Sequence, residues 1–183
     1  TQILIGNTQN ASTARGLQLF LRAGAQLALI LANNNNAFAN SLAVNSTATG
    51  LNDGSVHHFL ATYAGTSLAS GVVFYLDGVA VSTTTASNSL TATILGTNAL
   101  AVGGFPTGGS SANGLVKHAA IWTVALNATQ ASEVYAAGVP PNLNALATAP
   151  VPVLWVKLDS LDTIGASGII DYGTGNHPGT AQN

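Results

Sequence analysis

Residues 72–81 read Val72-Val73-Phe74-Tyr75-Leu76-Asp77-Gly78-Val79-Ala80-Val81, and this stretch decides the fold class. Two runs of β-branched, aromatic and aliphatic residues flank an Asp-Gly pair. Asp-Gly supplies the two positive φ angles of a type I′ turn, whose twist matches that of paired antiparallel strands. The stretch is therefore predicted as a β-hairpin, with residues 72–76 pairing against 79–83.

Outward from it the same period continues. Leu17, Leu19 and Leu21 alternate with Gln18, Phe20 and Arg22, and Leu27, Leu29 and Leu31 follow after Ala23-Gly24. A period of two around a glycine predicts a second hairpin. Ile3 to Ile5, His57 to Tyr63, Leu100 to Val102, Leu115 to Val124 and Val153 to Leu158 are further predicted strands. The polar run Asn33 to Asn36 is expected to be a loop, because its amides are costly to bury. One helix is predicted, Ala128 to Ala137, capped by Asn127 and ended by Gly138 and Pro140-Pro141. Many short strands and one short helix predict an all-β chain, an antiparallel two-sheet β-sandwich. The 183 residues are read as one domain. Residues 150–183 are expected to complete the sandwich or to exchange with a neighbouring copy, Leu154–Leu158 completing a sheet near the chain start or swapping into that copy, since Trp155 and its neighbours are too apolar to stay solvated. The chain opens inside a strand pattern and without Met, as a processed chain or part of a longer one does.

Composition narrows the function classes. Hydrophobic residues make up 47% and charged residues only 5%, for a formal charge of −2. Four Lys and Arg cannot neutralise a phosphate track, which argues against a nucleic-acid partner. Zero Cys excludes thiol catalysis, disulfides and Cys-ligated metals. The most apolar stretch, Leu17 to Ala32, is interrupted by Gln18, Arg22, Gly24 and Gln26 and falls short of the roughly 20 residues of a membrane-spanning helix, so no membrane insertion is expected.

Three blocks carry a family resemblance. Val56-His57-His58-Phe59-Leu60-Ala61-Thr62-Tyr63 is similar to a "W-H-H-V-A-V-T-Y" strand, with Val56 in place of Trp. Phe74-Tyr75-Leu76-Asp77-Gly78-Val79 is similar to an "L-Y-V-D-G-V" hairpin. Asn113-Gly114 through Ile121-Trp122 to Ala125-Leu126, with Glu133 and Tyr135 following, resembles "F-N-G-x-I-D-D-V-R-I-Y-N-R-A-L-S-x-x-E-I-x-x-L-Y". Together they resemble the laminin-G-like, concanavalin A-like jelly-roll superfamily over residues 50–138. Two departures stand out. Lys117-His118 replaces the usual acidic pair. The segment from Leu154-Trp155 to Asp171-Tyr172-Gly173-Thr174-Gly175-Asn176-His177 resembles a block that usually opens such a domain, whereas here it closes the chain. That order resembles jelly-roll modules of bacteriophage virion proteins.

Candidate site residues are few. A glycosidase needs two carboxylates flanking the scissile bond, and this chain has one Glu, Glu133, and five Asp, with no two acids on one face of a predicted strand. There is no G-x-S-x-G elbow, P-loop or dinucleotide motif. His57 and His58 point to opposite faces of a strand and so cannot share one ion; one ring is expected to pack inward with a hydrogen bond. Calcium is the one cation whose oxygen chemistry the loops offer, through Asp53 with Asn52, Asp159 with Asp162, and Asp171 with Asn176. The same residues also serve turns for conformational reasons alone, and Asp77 is explained by its hairpin. Trp122 and Trp155 are expected in the core. Tyr172 and Phe105 lie in Gly-rich loops, where an aromatic face either stacks on a pyranose or anchors the loop. Sequons occur at Asn10, Asn45 and Asn127.

The expected function is a non-enzymatic structural or adhesive surface module, as in a capsid decoration or tail-fibre protein, placed on a virion surface or outside the cell. The alternative is a carbohydrate-binding, lectin-like module. Expected partners are further copies of the chain, other virion proteins and a cell-surface glycan. Self-association follows from a near-zero net charge and a mean hydropathy of +0.37.

Overall fold

The computed structural model describes residues 1–8, 14–106, 110–158, 169–177 and 179–180. Its strands are β1 (Gln2–Gly6), β2 (Gly16–Leu21), β3 (Leu27–Asn34), β4 (Asn40–Ser46), β5 (Phe59–Tyr63), β6 (Val72–Leu76), β7 (Val79–Val81), β8 (Thr83–Asn88), β9 (Ala101–Val102), β10 (Ala119–Ile121) and β11 (Leu154–Val156). One α-helix, α1, spans Ala128–Tyr135. A six-stranded sheet runs β8-β4-β3-β2-β1-β9 and a three-stranded sheet runs β5-β6-β7. β10 and β11 form a separate pair, and every pairing is antiparallel.

The alternation read in the sequence becomes the layering. Leu17, Leu19 and Leu21 stand opposite Leu31, Leu29 and Leu27 across the β2–β3 hairpin. These leucines, with Leu42 and Val44 of β4, meet Val72 and Phe74 of β6 in the core between the two larger sheets. The intervening residues Phe20, Ala28 and Ile30 join Ile3, Ala32 and Ala43 on the opposite face of the six-stranded sheet. The three-stranded sheet is also used on both faces. Leu60 and Tyr75 point away from the central core into another one, shared with Leu126, Ala131 and Val134 around α1 and with Leu143, Ala149 and Trp155. The architecture is a β-sandwich with helix α1 and the chain beyond it packed on the outer face of the smaller sheet.

The Asp77-Gly78 turn has φ of 50° and 77°, as type I′ requires, and Phe74, Tyr75 and Leu76 pair with Val81, Ala80 and Val79. Gly78 has a second role. A Cβ there would lie 2.8 Å from Cδ1 of Tyr135, so only glycine lets α1 close on the hairpin. Asn127 caps α1 in a reciprocal capping box with Gln130.

Several elements depart from expectation. The strand expected over Leu115–Val124 shrinks to Ala119–Ile121, because His118 takes a left-handed φ of 54° that extended structure cannot continue. Leu158, at φ 53°, likewise ends the last strand early. Left-handed Ala136 stops α1 short of Ala137. β11 pairs with β10 rather than with a strand near the chain start. The expected Asn33–Asn36 loop begins two residues later, at Asn35, since β3 runs through Asn34. Strands β4 and β8 were not predicted. The Ser, Thr and Asn that compose much of them carry no apolar alternation.

Candidate functional site

Most of the charged and histidine side chains among the described residues gather in three places. The first lies where the segment before β5 meets the β6–β7 turn. Asp77, at the corner of the hairpin, accepts the backbone N–H of His58 on Oδ1 at 2.7 Å, and its Oδ2 faces Nδ1 of His57 at 2.9 Å. On its other side His57 presents Nε2 to Oδ1 of Asp53 at 3.2 Å. Both imidazole nitrogens therefore face carboxylates, and both can donate only in the protonated ring. The bond to Asp77, then the bond to Asp53, raises the His57 pKa above its ordinary value. The backbone N–H of Ser55 bonds Asp53 first and His57 adds to it, holding that carboxyl below the usual range. Asp77 thus does more than shape a turn. It ties the entry of β5 to the hairpin.

His58 points the other way, as the strand period requires. Its ring lies 5.8 Å from that of Tyr135 on α1, and its Nδ1 is buried without a hydrogen-bond partner among the described residues. Burial pushes its pKa down, and Asp77 offsets this only in part. The expected inward ring is found, but the hydrogen bond expected of it falls to His57, whose neighbouring acids come from two loops.

The second place is the outer surface of α1. Both oxygens of Glu133 accept from the strap that follows the helix. They take the N–H groups of Ala147, Thr148 and Ala149 and the Thr148 hydroxyl, the last at 2.6 Å. The Thr148 hydroxyl, then the backbone donors, pull its pKa down to about 2. The only Glu of the chain is a clamp. Nearby, Trp122 donates its indole N–H to the carbonyl of Pro150 at 2.7 Å, which holds the same strap.

The third place surrounds β11. Asp171, its side chain 1% exposed, accepts from the N–H groups of Trp155 (2.9 Å), Gly173 (2.7 Å) and His177 (2.7 Å). Burial alone would raise its pKa; the donors of His177, Trp155 and Gly173 outweigh it and hold the carboxyl below the ordinary range. Trp155 is buried and gives its indole N–H to Nδ1 of His118 at 3.3 Å. Tyr172 packs on Trp155 at 5.6 Å between ring centres, and Nζ of Lys157 sits 4.0 Å above the Tyr172 ring.

The sequence candidates therefore end up apart. Phe105 packs half-buried against the outer face of the six-stranded sheet, whereas Tyr172 belongs to the core beyond the three-stranded sheet. Asp53 joins the His57 network and Asp171 the β11 turn. Asp159 and Asp162 lie outside the described residues, as does the sequon at Asn10. Asn45 is buried in β4, and Asn127 is the helix cap. Among the described residues no group of three or more His, Asp or Glu side chains is placed to hold a metal ion. The Asp53–His57–Asp77 chain escaped sequence reasoning. Its signal is a histidine just before β5, one residue from the position opposite Asp77 and four residues beyond Asp53.

A family model for laminin-G-like domains, described as the concanavalin A-like lectin/glucanases superfamily, matches residues 1–132. The chain belongs to that superfamily. No curated protein and no solved structure matches it. Laminin-G-like domains are typically non-catalytic and commonly extracellular or surface-exposed. Among the described residues no helix is long and apolar enough to cross a membrane. The match ends within α1, so the strap, β11 and the Asp171 turn lie beyond it.

Proposed function

We propose that this laminin-G-like chain is a non-enzymatic structural or adhesive surface module, working as a self-associating component of a bacteriophage particle such as a capsid decoration or tail-fibre protein. The observation that carries the reading is the employment of the acids. Asp53, Asp77, Glu133 and Asp171 are each engaged by backbone N–H groups, and two of them also flank His57. Carboxylates so engaged are poor general acids and bases: the donors around Asp53, Glu133 and Asp171 hold their pKa values below the range that proton transfer near neutral pH needs, and Asp77 is committed to the His58 N–H and the His57 ring.

The surface supports the self-associating part. Val56, Leu95, Leu115, Val79 and Val139 are all strongly exposed. Edge strand β8, Thr83–Asn88, is largely exposed and carries no charge or proline of the kind that keeps sheet edges apart. The order of blocks at the C-terminus, which resembles virion modules, supports the phage setting. A lectin-like role is the second reading. It is favoured by the partly exposed rings of Phe105 and Tyr172 on a fold shared with lectins.

Native mass spectrometry across a salt series tests the reading. An oligomer that persists at high salt is expected, since contacts lined by uncharged residues do not depend on screened attraction. A monomer that binds arrayed glycans would transfer the assignment to the lectin-like role, and a monomer without glycan affinity would overturn both.

A further inference from the structure

The chain contains three dipeptides in which Asp or Asn precedes Gly: Asp53-Gly54, Asp77-Gly78 and Asn113-Gly114. Such pairs share an intramolecular chemistry. The glycine nitrogen can attack the side-chain carbonyl carbon of the preceding residue, and the missing Cβ gives it room to approach. Whether it does so depends on how firmly the two groups are held.

Two of the pairs are held. The Asp77 carboxylate is fixed by His57 and by the His58 N–H, and Gly78 is wedged against Tyr135. The Asp53 carboxylate is fixed by the Ser55 N–H and by His57. Asn113 differs. The chain is anchored just before it, by Ile3 N–H to Ser110 O at 3.0 Å and Ala112 N–H to Gly103 O at 2.8 Å, and its own N–H bonds Gln2 Oε1 at 3.2 Å. Its side-chain amide and the N–H of Gly114 have no hydrogen-bond partner among the described residues. Both residues are exposed, a Cβ at Gly114 would meet nothing within 4 Å, and the next backbone tie is His118 N–H to Lys157 O. The side-chain amide therefore sits on anchored chain, next to a glycine nitrogen that no hydrogen bond among the described residues ties down.

We propose that Asn113 is a site of spontaneous, water-dependent deamidation in the folded protein. The Gly114 nitrogen gives up its proton to solvent base and bonds to Cγ of Asn113. The Cγ–Nδ2 bond breaks, and ammonia leaves with a proton from water. One water molecule then opens the cyclic imide at either carbonyl, leaving an aspartyl or isoaspartyl residue at position 113. No electrons are transferred and no other reactant is consumed. The product adds one negative charge to a chain whose formal charge is −2, on a surface with little charge of its own.

The test incubates the full folded chain at mildly acidic and mildly basic pH, with peptide mapping by mass spectrometry and enzymatic methyl labelling of isoaspartate. Conversion is expected first at position 113 and faster in base, with both products present. Asn113→Gln removes the signal at that position with the far-ultraviolet circular dichroism unchanged, and Gly114→Ala, at a backbone φ of 157° that a side chain strains, slows it. Prior conversion at another Asn would overturn the proposal, as would conversion at 113 in the denatured chain alone.

Discussion

The two cores on either side of the three-stranded sheet are built by different means. The central core is a stack of aliphatic side chains from facing strands, Leu27, Leu29, Leu31, Leu42 and Val44 against Val72 and Phe74. The outer core has apolar members too, but polar clamps bring its pieces together: Glu133 on the strap, Trp122 on Pro150, and Asp171 on the backbone around β11. A sheet brings its own backbone partners and needs only a greasy face. Irregular chain has no ladder, so its N–H groups must find acceptors elsewhere. Among the described residues, Glu133 and Asp171 serve there, and Asp53 and Asp77 do the same for the irregular entry to β5.

The sharpest way to break the comparison is to remove a side chain from the first core. Phe74 is fully buried between the sheets. Phe74→Ala is expected to cost about 3–5 kcal/mol, a large share of the roughly 5–15 kcal/mol that holds a domain together. Chemical denaturation followed by far-ultraviolet circular dichroism measures it. Because both larger sheets meet at Phe74, the loss is expected in one cooperative transition. A loss under about 1 kcal/mol would show that the sheets are held by something other than this packing.

Clamp variants are expected to act locally. Asp171→Ala leaves the N–H groups of Trp155, Gly173 and His177 without their acceptor, a loss on the order of 2 kcal/mol. Glu133→Gln keeps the shape but removes the charge, and a smaller fall in melting temperature is expected. In both, hydrogen exchange is the discriminating measurement. Amides at Ala147–Ala149 should exchange faster in Glu133→Gln, and those at Trp155 and Gly173 in Asp171→Ala, while β2 and β3 keep their protection. The Glu133 clamp also has a pH signature. Its folded pKa of about 2 lies below the ordinary 4.5, so its stabilisation is present above 4.5 and lost as pH falls through that interval toward 2. Equal acceleration in both cores would mean that the molecule opens as one unit.

The same contrast explains what could be read from the chain. The leucine alternation of residues 17–31 and the Asp77-Gly78 turn are local statements; the first is realised residue by residue, the second over Phe74–Leu76 against Val79–Val81, short of the expected 72–76 against 79–83 because Thr83 crosses to pair with Ser46 of β4. Strand β8 is hidden because a polar edge strand carries no alternation to detect, and β4 because its short Leu42-Ala43-Val44 centre is flanked by Asn and Ser; the existence of each is decided by its neighbours. The ends of β10, β11 and α1 were misjudged where non-glycine residues, His118, Leu158 and Ala136, adopt positive φ that composition does not announce. Candidate site residues were harder still. Asp53, Asp171 and Glu133 could be recognised as scarce acids, yet their partners lie up to sixteen residues away in sequence and are mostly backbone N–H groups, which no motif records.

The smallest expected effect concerns His57 and His58, neighbours in sequence that face opposite sides of the three-stranded sheet. His57 sits between Asp77 and Asp53, and its pKa is raised, by the bond to Asp77 first. Its contribution is fully present below the ordinary imidazole value of 6.5 and is lost as pH rises through the higher folded value. His58 is buried against Tyr135 with Nδ1 unpartnered, and desolvation lowers its pKa. Its neutral ring suits the fold above 6.5, and stability is lost as pH falls through the lower folded value. The groups placed against His58 are Asp77 from the hairpin and Tyr135 from α1, and Asp77 favours its protonation. The two variants are therefore expected to deviate from the parent in opposite senses. His57→Gln should be most destabilising at mildly acidic pH and approach the parent in mild base. His58→Gln should gain relative to the parent as pH falls, because a group that resists charging has been removed. Each deviation is expected to be about 1 kcal/mol or less, since His57 is partly solvated and His58 retains some attraction to Asp77. Urea midpoints across the titration range decide the matter, and parallel profiles for the two variants would show that the faces of this sheet do not differ as their packing implies.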